Sequence, residues 1–484
     1  MRYPRLLVAL AATAAAGTLA APAPTLAASA ARASGAALAA SAARAAQGTT
    51  AFVVPGADAI RSTTLANGMQ VIVWSDHDIP NVALYNWVHV GSRNEAPGIT
   101  GLAHFFEHMM FNGTSRRAQG EFDREMEARG GANNAFTSDD VTVYQDWVPR
   151  GALETVFDLE ADRLAHLAFD PKVVESERNV VYSERRMRVE DNNQGFLMEQ
   201  VQATAFVAHP YQIPTIGWPA DIKTWRMEDL QQFFRRYYAP NNCTLVVVGD
   251  VTADEVFALA RRYLEPIPRQ EPPLPVKTTE PEQLGEKRVA IERKAQTPLL
   301  QIAYKAPAAA DPQGPAMNLL LSILTEGDAS RLHRELVEEQ KLAIDVAGYW
   351  HEGFDPSLAW FFLTLPEGGD PAAVERAFDA ALARVVADGV SESELRRAKN
   401  LTASGFWKAL ATIDGKARLL GEYQLLHGDY RRLFSAPADY EAVTREQLHE
   451  LAKSVLQKSR RTVGVLAPAA ASAALTGARA AGEG

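Results

Sequence analysis

Short apolar runs and amphipathic stripes of helical period alternate along this chain, and their order occurs twice. Ser62–Leu65, the dipeptide Asn67-Gly68 and Gln70–Ser75 predict a β-hairpin, because Asn-Gly readily adopts the positive φ of a tight reversal. Val82–Val90 alternates as a strand and leads to Gly101–Thr114 (GLAHFFEHMMFNGT), read as a helix with its Phe and Met residues in the core. Gly120–Arg129 predicts a short helix ended by Gly130-Gly131. Asn133–Val148 reads as one extended stretch, with β-branched and aromatic residues alternating with polar ones. Ala152–Ala168 is an amphipathic helix. Pro171–Asp191 predicts another, with Asp170 as N-cap and Pro171 at the first helical position. Asp229–Tyr238 and Asp254–Tyr263 read as helices around the strand Cys243–Asp250.

Pro266–Pro275 (PIPRQEPPLP) interrupts this pattern as a semi-rigid linker. Beyond it the order returns: a strand over Arg288–Tyr304, helices, strands Leu342–Tyr349 and Leu358–Pro366, helices, and a last strand Thr462–Leu466. The expectation is an α+β protein of two domains with similar topology, 51–265 and 281–468, joined by a linker over 266–280. A length of 484 residues suits two cores of roughly 200 residues each. The net charge of −10 and the lack of a basic stripe argue against a nucleic-acid partner. One cysteine, Cys243, excludes an intrachain disulfide framework. Residues 1–30 have the layout of a secretory signal: Arg2 and Arg5, the apolar run Leu6–Ala21, then small residues. Periplasmic or secreted localisation is the expectation; a mitochondrial-type transit peptide is the alternative, since the region lacks acids. Residues 31–50 are an Ala/Ser-rich lead-in and 469–484 an Ala/Gly-rich tail expected to be disordered.

The candidate chemistry lies in the helix of Gly101–Thr114. His104 and His108 are four residues apart and project from one helical face, so both imidazoles can reach one metal ion. Glu107 shares that face and can take a proton from an activated water without ligating the metal. The pattern H-x-x-E-H is the inverzincin signature. A tetrahedral catalytic zinc takes three protein ligands and keeps one position open. Glu177 and Glu184 are seven residues apart on the helix Pro171–Asp191 and share a face. One can complete the site while the other orients a ligand or the water.

The stretches VGSRNEAPGITGLAHFFEHMMFNGT, GGANNAFTSDDVTVY and YYAPNNCTLVVVGDV resemble the pitrilysin/insulinase-type zinc peptidases, in particular their mitochondrial-processing-peptidase-like branch. The resemblance spans the first half and, more loosely, the second. It implies one Zn2+ held by His104, His108 and Glu184, with Glu107 as catalytic base and Glu177 in support. It further implies that Asn134, Ala135, Phe136 and Thr137 lie on an exposed edge strand that binds the substrate by main-chain pairing. In self-sufficient members the second half supplies an arginine and, seven residues on, a tyrosine. Here those positions fall on Val337 and Ile344, which cannot donate hydrogen bonds.

The implied protein is therefore a zinc-dependent endopeptidase acting on peptides or unfolded segments. Its first domain carries the metal and its second is metal-free, and together they form half of a clam-shell chamber. A homologous zinc-free partner subunit would supply the arginine and tyrosine. Arg331, Arg334 or Tyr349 are the in-chain substitutes, and a non-catalytic assembly or peptide-binding subunit is the alternative function.

Overall fold

A computed structural model describes residues 54–469. The expected signal and lead-in, and all of the expected tail but Ala469, lie outside the described residues. The hairpin forms as read: β1 (Ile60–Thr64) pairs antiparallel with β2 (Gln70–Ser75) across Asn67-Gly68, and β3 (Asn81–Val88) follows. Next come α1 (Leu102–Met109), α2 (Glu121–Ala128), β4 (Ala132–Thr137), β5 (Thr142–Pro149), α3 (Leu153–His166), α4 (Pro171–Arg185), α5 (Asn193–Ala205), α6 (Pro219–Thr224), α7 (Met227–Tyr237), β6 (Cys243–Gly249) and α8 (Ala253–Tyr263). The second half holds β7 (Lys287–Arg293), β8 (Leu299–Ala306), α9 (Gly314–Thr325), β9 (Asp345–Trp350), β10 (Ser357–Thr364), α10 (Pro371–Asp388), α11 (Glu392–Leu410), α12 (Ile413–His427), α13 (Ala436–Glu441), α14 (Arg445–Val455) and β11 (Arg461–Pro468). No helix among the described residues is long and apolar enough to cross a membrane.

Two sheets result, ordered β1-β2-β6-β3-β5-β4 and β7-β11-β8-β10-β9. Apart from the extra strand β1, the second repeats the first: each has one parallel pair, β2 with β6 and β7 with β11, and antiparallel pairs elsewhere. Two expected strands divide. The stretch 288–304 becomes β7 and β8, which are not neighbours because β11 lies between them; the polar segment ending at Pro298 carries the chain across. The stretch 133–148 becomes the hairpin β4–β5, where the Ser138 hydroxyl accepts the backbone N–H groups of Asp140 and Val141 and closes the turn.

Each sheet is covered on one face by its own half and on the other by a helix from the opposite half. Val71, Val73, Leu84 and Val247 face the core that also holds Phe105, Phe106 and Phe157. The other face of that sheet, with Ile72, Trp74, Tyr85, Trp87, Val246 and Val248, joins the core of the second half, where α12 lies over β3 and β6. Reciprocally, Leu197, Val201 and Ala205 of α5 pack with Ala303, Trp360 and Leu466 on the second sheet. Glycines set both close approaches: a Cβ at Gly421 would overlap the Trp87 indole, and one at Gly464 would overlap Val201. The linker is pinned as well, because Glu280 accepts the backbone N–H groups of Val207, Ala208 and His209.

His427, at the end of α12, is buried with neither ring nitrogen hydrogen-bonded. Burial, aided by Arg432, lowers its pKa to about 4. The unfolded chain binds a proton near pH 6.5 that the folded chain refuses, so this contribution to stability is full above pH 6.5 and is lost as pH falls towards 4. Urea unfolding at pH 7.5 and pH 5 should therefore show His427→Leu gaining on the parent by about 2 kcal/mol at the lower pH. An unchanged difference between the two proteins would refute this account.

Candidate metal centre

The centre is built where α1 crosses α4. Phe105 and Phe106 of α1 are fully buried among Trp225, Phe169, Phe233, Phe234 and Tyr238. This anchoring turns the opposite stripe, His104, Glu107 and His108, away from that core. Buried Glu95 accepts the backbone N–H groups of Gly101 (2.6 Å) and Ala103 (2.7 Å), two groups that the first turn leaves without helical partners. α4 starts as read, with the Asp170 carboxylate accepting from the Lys172 and Val173 N–H groups.

On α4 the two glutamates separate into distinct positions. Glu184 Oε2 lies 3.3 Å from His108 Nε2 and 3.7 Å from His104 Nε2. Glu177 Oε1 lies 2.8 Å from His108 Nδ1, and its other oxygen accepts from the Asn112 amide at 2.9 Å. Asn112 also donates to the His108 carbonyl, fastening the end of α1 to α4. One donor atom from each of His104, His108 and Glu184 falls within 4.8 Å of the others, the sole such set among the described residues. Donors about 2.0–2.1 Å from a tetrahedral zinc lie about 3.3–3.4 Å apart, near the 3.3 and 3.7 Å from Glu184 to the two histidines, and this nitrogen–oxygen set is of the kind Zn2+ takes.

Electrostatics suit a metal site at His104 and Glu184, whereas His108 has to give up a proton to ligate. Burial lowers the His104 pKa, keeping the ring neutral as a ligand must be. Burial also opposes charge on His108, but Glu177 and Glu184 outweigh it and raise that pKa to about 9. Glu184 is held ionised at about 2: desolvation pushes it up, while His108, His104 and Arg188 pull it down further.

The remaining expected residues surround this cluster. Glu107 is half-buried, and its Oε2 accepts the Thr137 hydroxyl at 2.6 Å. β4 is the last strand of its sheet and pairs only with β5. Along it Asn134 is exposed, Ala135 packs towards the core beneath α1, and Phe136 meets Trp87 edge-on at 6.2 Å. The turn after β4 is stitched to the second half: Arg93 pairs with Asp140 (3.0 Å) and Asp355, and Asp140 accepts from Tyr211 and from the Phe354 N–H.

In the second half Val337 packs on the core and Ile344 is exposed. Arg331 is taken by Glu394, and Arg334 pairs with Glu339. Tyr349 lines a cavity of about 160 Å³ with Ser138, Asp139 and His351. Asn112 and Arg188 are site residues that the sequence reading missed, although each stands four residues after a singled-out residue, His108 and Glu184. That helical spacing was the available signal.

Comparison with known proteins agrees with this architecture. Residues 70–218 match the family described as Insulinase (Peptidase family M16), and residues 224–402 match the Peptidase M16 inactive domain. The zinc protease PqqE of Helicobacter pylori is 30% identical over 416 residues, covering 84% of this chain and 92% of that protein. The crystal structure of a protease from Helicobacter pylori superposes with a TM-score of 0.82 at 28% identity, covering 84% of this chain and 99% of that one. The periplasmic protease PqqL of Escherichia coli shares the fold with a TM-score of 0.71 at 21% identity, and the match takes in 86% of this chain but 48% of that one. With a fold repeated in two halves and a zinc-protease relative aligned along most of its length, the chain belongs to the insulinase family of peptidases, M16.

Proposed function

We propose that this chain is the zinc-carrying subunit of an endopeptidase that hydrolyses peptides or unfolded segments. The observation that carries the reading is the convergence of His104, His108 and Glu184, with Glu107 beside them on α1. A zinc ion held by those three residues supplies the Lewis acidity that makes water nucleophilic near neutral pH. Glu177 fixes the ring of His108 through Nδ1 and so presents Nε2 to the metal. Glu107 has Oε2 tied to Thr137, which leaves Oε1 to take the proton of the attacking water and return it to the leaving amine. The unpaired edge of β4 receives the peptide as an added strand, so main-chain hydrogen bonds align it whatever its side chains.

The chain works with a partner subunit of similar fold. The pairing of Arg331 with Glu394 and of Arg334 with Glu339 supports this reading, because both arginines already have partners in the second half. The partner supplies the arginine and tyrosine and closes a clam-shell chamber. Escherichia coli PqqL, about twice the length of the matched region, supports the idea that two such units make a complete enzyme. The signal-like residues 1–30 and the periplasmic location of PqqL support export to the periplasm.

The test is zinc content together with hydrolysis of quenched, unstructured peptides by the chain alone. We expect one zinc per chain and turnover roughly two to three orders of magnitude below that of a completed assembly, the usual effect of a missing oxyanion donor. Chelation should remove the residual activity and added zinc restore it. Fast hydrolysis by the lone chain would eliminate the partner; absence of zinc binding would eliminate the peptidase reading.

A further inference from the structure

Glu184 meets an arginine as well as the two histidines. Arg188 Nε lies 2.8 Å from Glu184 Oε1, while Oε2 of the same carboxylate faces the histidine nitrogens. We propose that Arg188 is a positioning residue that holds Glu184 as a one-oxygen zinc ligand; this rests on the zinc reading above. The terminal torsion of a glutamate is broad, so an unrestrained carboxylate can offer a metal either oxygen or both. The ion pair occupies Oε1 and leaves Oε2 as the donor, which suits three protein ligands with a fourth position open.

The backbone is arranged for this contact. α4 widens into a π-helical turn over Arg186–Glu190, closed by the Asp191 N–H donating to the Arg186 carbonyl at 2.6 Å. Such turns are frequent at functional sites. The first turn of α5 then packs directly on the Arg188 carbonyl, where a Cβ at Gly195 would overlap it. α5 in turn is seated on the second sheet, so the metal-free half braces the residue that aims the third ligand.

Charge and orientation make opposite predictions, which gives the experiment its sign. If Arg188 acted only as a cation beside a cation site, removing it would tighten zinc binding. If it positions Glu184, removal loosens binding by about 10–100-fold, as expected when a partner behind a ligand is lost. Zinc affinity is measured on the full chain by competition with a chromophoric chelator, with circular dichroism as the check on folding. Arg188→Gln should lose about 10–100-fold, and Arg188→Lys, whose ammonium can still reach Oε1, should recover most of that loss. Arg186→Gln, a substitution of an exposed neighbour whose side chain has no partner among the described residues, should bind as the parent does. Unchanged or tighter binding by Arg188→Gln would overturn the proposal, and so would an equal loss in Arg186→Gln. A parent chain that binds no zinc would instead overturn the metal centre itself.

Discussion

Glu107→Gln is expected to lower kcat by roughly two to four orders of magnitude, the range that a positioned general base contributes, while one zinc stays bound. The shape of the side chain is kept, and the oxygen facing Thr137 can still accept its hydroxyl. What disappears is the capacity to take a proton. Glu107 lies outside the donor set of His104, His108 and Glu184, so zinc affinity should stay close to that of the parent. KM should move little, because the edge of β4 is untouched. Steady-state hydrolysis of a quenched peptide, run beside elemental zinc analysis of the same samples, separates the possibilities. Loss of turnover with zinc retained assigns the base to Glu107. Retained turnover removes the carboxylate from the mechanism, and loss of both would mean that Glu107 holds the metal.

The second large effect concerns the fold. Residues 54–265 expressed alone should fail to give a cooperative native state, although they contain every residue of the candidate metal centre. Their sheet would expose Ile72, Trp74, Tyr85, Trp87, Val246 and Val248, which the second half covers in the intact chain. At about 1.5–3 kcal/mol for each large side chain, that loss is comparable with the whole stability of an ordinary domain, about 5–15 kcal/mol. Polar ties across the same surface go too, among them Trp147 to Asp414 at 3.0 Å and Lys416 to Asp76. A point variant tests the same contact within the full chain. Gly421→Ala drives a methyl group into the Trp87 indole and should cost about 1–3 kcal/mol or more in urea unfolding. The full chain should unfold in a single transition. Two separate transitions, or a fragment with sharp unfolding and bound zinc, would show that the halves are independent after all.

Local physics was readable in the sequence. The spacing of His104, Glu107 and His108 fixes one helical face whatever the surrounding fold, and the Asp170-Pro171 start of α4 and the Asn67-Gly68 reversal are equally local. The repeated order of strands and helices already described the two related sheets. Glu177 and Glu184 could be placed on a common face, but periodicity alone treats them alike; the crossing of α1 over α4 brings Glu177 to Nδ1 of His108 and Glu184 to Nε2.

Other features depend on partners distant in sequence. Nothing between residues 288 and 304 announces that β11, more than 150 residues later, inserts between β7 and β8. The helices α5 and α12 carry little one-sided apolar pattern, and only the packed structure gives each the sheet of the opposite half. Thr137 has the same alternation as its neighbours until the sheet turns its hydroxyl onto Glu107. Helical and strand periods specify which residues share a face, because they follow from backbone geometry over a few residues. Which surface meets that face is set by long-range packing, and there Glu107 meets Thr137, Glu184 meets His104 and His108, and α5 meets the second sheet.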